Sequence, residues 1–105
     1  MIRKFGALVI TLLSPLAAAQ SVELRWVQSA SPSVVSNIVY RAAVRKGPYI
    51  AIFGSTEPIT EYADVDVMRG EIYCYVVTAV DANGVESGYS NKVCRKVPKK
   101  GSEEQ

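Results

Sequence analysis

Residues 72–81 are the longest stretch of uninterrupted strand propensity in the chain, running from Ile72 through Tyr73, Cys74, Tyr75, Val76, Val77, Thr78 and Ala79 to Val80 and Asp81. β-Branched and aromatic side chains suit a pleated, packed surface. A strand's period of two places Tyr73, Tyr75, Val77 and Ala79 on one face and Cys74, Val76, Thr78 and Val80 on the other. One of these faces is bound for a core, so the run is expected to be a central strand.

The flanking sequence supplies partners for it. Val22, Leu24 and Trp26 alternate with Glu23 and Arg25, which predicts a strand, and Ser29 to Ser33 with Pro32 reads as a loop. Val34 to Ala43 is a second strand whose facing stays open from periodicity alone, since Val35 and Val39 favour one phase and Ile38 and Tyr40 the other. Tyr49 to Phe53 and Ile59 to Ala63 read as two more, separated by Gly54, Ser55 and Pro58. Asn83-Gly84 is a hairpin signal after the central strand, and Tyr89 to Val97 closes the series. Six short strands with turn signals between them and no amphipathic helical stretch predict an all-β antiparallel sandwich.

Residues 1–19 carry a different pattern: basic Arg3 and Lys4, an apolar run from Phe5 to Leu13, and Ala17, Ala18 and Ala19. These are the parts of a secretory signal with cleavage expected before Gln20. Gly6, Ser14 and Pro15 interrupt the apolar segment, which falls short of the roughly 20 residues a spanning helix needs, so no membrane insertion is expected after cleavage. Removing Arg3 and Lys4 from twelve basic residues leaves ten against ten acids. A neutral chain has no field to hold a polyanion, and nucleic acid is excluded as a partner class. Lys92, Arg95, Lys96, Lys99 and Lys100 cluster before Glu103 and Glu104, and residues 98–105 read as a charged, solvated, disordered tail.

Taken in order, several groups resemble a fibronectin type III domain of the bacterial secreted kind over residues 20–97. They are Leu24-Arg25-Trp26, Val39-Tyr40-Arg41, Gly47-Pro48-Tyr49, Tyr62 with Asp64, and above all Gly70 to Asp81 followed by Glu86 to Val93. The resemblance implies an immunoglobulin-like sandwich with Trp26 in its core, Tyr73 opening the sixth strand of a seven-strand plan, and Val39 rather than Tyr40 pointing inward. Asn37 departs from the pattern, which has an aromatic nearby. The family's first strand also precedes the tryptophan strand by about a dozen residues, a place that signal cleavage would empty. The sheet edge so exposed would be open to pairing with another strand. Ala7 to Leu13 has the composition to fill it in cis if the segment is retained.

Cys74 and Cys94 lie at equal distances on either side of Gly84, so simple hairpin pairing brings them face to face on outward-facing positions. Small exported domains have modest cores and fold in oxidising compartments, and a disulfide is expected.

Chemistry is harder to find. The sequence has no histidine, which removes the usual general base, histidine-activated nucleophiles and histidine-ligated zinc. Asp64 and Asp66, near Glu61 and Glu71, read as solvated turn acids, and Asp81 to Gly84 as a hairpin turn that lacks the spacing of a calcium loop. No catalytic residue, metal or cofactor is expected. What remains is surface. Ile38, Tyr40, Val76 and Thr78 are expected to share the outward face of the larger sheet as a possible binding patch. Tyr49, Tyr62 and Tyr89 are either stacking surfaces for sugar rings or core. The expectation is an exported, non-enzymatic binding or adhesion module with a protein or glycan partner. The alternatives are an assembly subunit completed by a partner strand and an accessory domain of a secreted polysaccharide-acting enzyme.

Overall fold

The computed structural model describes residues 9–12, 20–31, 33–43 and 47–99. The basic start at Arg3 and Lys4, the alanines at 17–19 and the tail from Lys100 lie outside the described residues. Seven strands follow in chain order: β1 (Val9–Leu12), β2 (Val22–Val27), β3 (Val34–Ala42), β4 (Ile50–Gly54), β5 (Glu61–Asp64), β6 (Ile72–Asp81) and β7 (Val93–Lys96). They form two antiparallel sheets, β1-β2-β5 and β4-β3-β6-β7, packed as a β-sandwich.

The six strands expected from sequence are present, and β6 has the predicted bounds. A seventh, β1, is added to them. It lies inside the segment expected to be removed and pairs antiparallel with β2, from Val9 opposite Val27 to Leu12 opposite Leu24. It therefore fills in cis the place expected to be empty.

The core forms between the predicted faces. Leu24 and Trp26 from β2, Val39 from β3, and Tyr73, Tyr75, Val77 and Ala79 from β6 are all buried. Val39 is fully buried while Tyr40 on the opposite face keeps partial exposure, which settles the facing of β3. The Tyr73 hydroxyl accepts the backbone N–H of Met68 at 2.9 Å, the tyrosine corner by which such sandwiches tie a strand to the turn before it.

The inward row of β3 is Asn37, Val39, Arg41, an apolar residue between two polar ones, and each polar residue clamps one sheet to the other. Asn37 is fully buried. Its carboxamide accepts from Gln28 at 2.9 Å and from the Ile59 N–H at 3.0 Å, and donates to the Thr78 carbonyl at 3.1 Å and to Gln28 at 3.0 Å. The departure from the family pattern is thus a fully satisfied hub. At the other end Arg41 pairs with Asp64 at 3.0 Å. Asp64 also accepts the Tyr75 hydroxyl at 2.7 Å, and the guanidinium carbon of Arg41 lies 5.3 Å from the centre of the Tyr73 ring. Burial, and then the bond to Asp64, push the Tyr75 phenol well above its ordinary value. Asp64 is 1% exposed, which corrects its reading as a solvated acid; Asp66 keeps that character.

Cys74 and Cys94 are register partners and disulfide-bonded. Closing a loop of 20 residues stabilises the fold by about 3 kcal/mol on the chain-entropy estimate. The hairpin turns where Asn83-Gly84 predicts, with Gly84 at φ +81°. The Asp81 carboxylate accepts the N–H groups of Asn83 and Val85, both at 2.9 Å, which is a turn's role and not a calcium site's.

Asn37→Leu keeps the volume and removes the hub, leaving the Ile59 N–H without a partner and taking a bond each from the Thr78 carbonyl and from both ends of the Gln28 carboxamide. At about 1–3 kcal/mol for an orphaned buried group, urea unfolding should show a loss of roughly 2 kcal/mol. A loss below about 1 kcal/mol would mean that the hub does not couple the sheets.

Candidate functional site

The outer face of the larger sheet is where sequence left room for function, and its surface differs from the expectation. By register Ile38 opposes Thr78 and Tyr40 opposes Val76, so the four predicted residues do share that face. Ile38 and Tyr40 are half-buried, but Val76 and Thr78 are 3% and 1% exposed. As an accessible apolar patch the quartet is therefore corrected: β6 is covered on its outer side as well as its inner one.

Part of the cover is the segment after the hairpin. Glu86 bridges to Val80, and the Ser87 and Ser90 N–H groups donate to the carbonyls of Ala79 and Val77. In the return direction the serine hydroxyls stand in for a neighbouring strand's carbonyls, accepting the N–H groups of Ala79 and Val77 at 2.9 Å each. These side-chain acceptors replace the ladder that Tyr89 to Val97 was expected to form throughout, and β7 begins only at Val93. Tyr89 sits between the two serine anchors with 56% of its surface exposed.

From this segment Glu86 reaches over the sheet. Its Oε2 accepts the hydroxyl of Thr78 at 2.7 Å and that of Tyr40 in a short hydrogen bond. The Thr78 hydroxyl, buried on the outer face, thereby has its partner. Burial first, and then the hydrogen bond and charge of Glu86, push the Tyr40 phenol up to about 12. Burial, and after it the proximity of Tyr89, raise Tyr49 as well. Both remain neutral hydroxyls at physiological pH.

The tyrosines converge. Tyr89 is the middle ring, 5.3 Å from Tyr40 and 5.8 Å from Tyr49 between centroids, tilted 57° to each. Tyr49 enters the cluster immediately after the cis Gly47–Pro48 peptide. Tyr62 does not join it, because it stacks on Phe53 at 4.6 Å and packs against the core. Of the three tyrosines left open as stacking surfaces or core, two belong to the surface cluster and the third, Tyr62, lies half-buried against the core. Sequence reasoning missed Glu86. The available signal was its spacing from Thr78 across the hairpin, which places a carboxylate above a polar residue on an otherwise apolar face.

A concavity of about 340 Å3 lies on the smaller sheet between Glu23, Leu24, Glu61, Tyr62 and Ala63. Its aromatic ring is the one engaged by Phe53, and Glu61 faces Arg25 at 3.6 Å across a solvent-exposed pair. No group of three or more histidine, cysteine, aspartate or glutamate side chains able to hold a metal ion occurs among the described residues. The outer-face cluster therefore brings together one exposed aromatic ring, two half-buried ones and a carboxylate.

No protein-family model matches the chain. It is 40% identical over 84 residues to an amylopullulanase of Thermoanaerobacter thermohydrosulfuricus, a match that covers 80% of this chain and 6% of the enzyme. A pectate lyase from Erwinia chrysanthemi, solved in complex with tetragalacturonic acid, superposes with a TM-score of 0.72 at 22% identity, over 85% of this chain and 28% of the lyase. An Fn3-like protein from Clostridium thermocellum is 33% identical with a TM-score of 0.67, the match covering 90% of this chain and 91% of that one. The corner tyrosine, the buried tryptophan, the sandwich topology and this end-to-end match agree, and the chain belongs to the fibronectin type III-like family.

Proposed function

We propose that the protein is an exported, non-catalytic binding module that works with polysaccharide-acting enzymes. The observation that carries this reading is the amylopullulanase match, in which a segment 40% identical to this chain makes up only 6% of a much larger enzyme. A segment of that size is an accessory part, and the outer face of this chain has a surface of the matching kind: three tyrosines and a carboxylate on a stapled sheet. The disulfide and the signal-like residues 1–19 support export, to the periplasm, the cell surface or beyond.

A second reading follows from β1. It seals the edge of the smaller sheet against Leu24–Val27. Processing before Gln20 would take it away, uncovering unpaired N–H and C=O groups beside the buried Leu24 and Trp26. A second copy could then add its own opened edge, giving an assembly subunit by strand addition.

Two outcomes are expected. The purified protein should be retained by insoluble starch while releasing no reducing sugar from it; hydrolysis, or no retention by any polysaccharide, contradicts the leading reading. The chain beginning at Gln20 should sediment as a dimer at micromolar concentration if the opened edges pair, and a stable monomer there removes the assembly reading.

A further inference from the structure

The cluster on the outer face is more specific than a generic polar surface. We propose that Tyr40, Tyr49 and Tyr89 form a subsite for neutral pyranose rings of a polysaccharide chain, with Tyr89 as the stacking face and Glu86 as the polar anchor. This rests on the reading of the protein as a glycan-directed module and adds where it binds and which class of sugar it takes.

An aromatic ring presents an apolar face that the C–H bonds of a pyranose can cover, and the area removed from water drives the contact. Tyr89 is suited to this because it is 56% exposed yet held in place. The backbone on both sides is fixed to β6 through Ser87 and Ser90, and the ring is flanked by Tyr40 and Tyr49. A ring ordered before binding loses little freedom on binding. A loose tyrosine of equal area would lose more.

Polar recognition comes from Glu86. Its Oε2 is occupied by Tyr40 and Thr78, and its Oε1 has no hydrogen-bond partner among the described residues. A carboxylate accepts charge-assisted bonds from hydroxyls, and sugars carry hydroxyls at the rim of every ring. The same charge repels a uronate carboxylate, so the site selects neutral sugars over acidic ones. The 57° tilts make the aromatic surface bent. Such a surface follows a coiled, soluble chain better than a flat crystalline one.

Affinity electrophoresis through gels containing amylopectin or polygalacturonate, at physiological ionic strength, tests the assignment with the wild type, Tyr89→Ala and Val65→Ala. Tyr89 and Val65 are both largely exposed, so all three proteins should melt together. Amylopectin should slow the wild type and Val65→Ala equally and bind Tyr89→Ala about tenfold more weakly, the loss expected for one stacking ring. Polygalacturonate should slow none of them. Undiminished amylopectin binding by Tyr89→Ala overturns the subsite and leaves the module reading in place. Preference for polygalacturonate overturns the choice of neutral sugars. A wild type that binds neither polymer, nor insoluble starch, overturns both the subsite and the reading it rests on.

Discussion

β6 is buried on both faces, and much of the structure follows from that constraint. Its inner residues Tyr73, Tyr75, Val77 and Ala79 make the core, and its outer residues Cys74, Val76 and Thr78 are equally shut off from water. A central strand with a buried outer face needs a cover on that side. In this chain the cover includes a disulfide at one end and, further along, the carboxylate of Glu86 with the tyrosine it holds. The candidate site is thus part of what shields the central strand, which is why its rings and hydroxyls are held in fixed positions.

The two sheets are joined by more than apolar contact. β3 contributes Asn37 and Arg41 on either side of Val39, and each reaches partners on the other sheet or the loops beside it, Gln28 and Ile59 for one and Asp64 for the other. Such networks are costly when partly satisfied and specify a single arrangement when complete. Here they fix how the sheets face each other at both ends of a core that is small by the standards of larger domains. The tyrosine cluster with Glu86 is built on the outside of one of these sheets.

What could be read from sequence was whatever depends on local pattern. Alternation gave the bounds of β6 and the inward phase of Leu24 and Trp26, and the symmetric spacing about Gly84 paired Cys74 with Cys94. What could not be read depends on partners far along the chain. Asn37 looked like a blemish until its bonds to Gln28, Ile59 and Thr78 were placed, and Asp64 looked solvated because nothing nearby in sequence announces Arg41 or Tyr75. Val76 and Thr78 were expected to be open because a strand pattern gives facing but not what lies over a face. Residues 9–12 show the reverse limit: apolar composition suits both a leader and an edge strand, and only pairing with β2 displays the second capacity.

The outer face beside β6 is the proposed binding surface of the protein. Amide chemical-shift mapping during titration with a linear α-glucan oligosaccharide tests it most directly. Shifts concentrated at Tyr49, Glu86, Tyr89 and their neighbours on β3 and β6 are the predicted result. Shifts centred on Glu23, Glu61 and Ala63, on the opposite sheet, would contradict it.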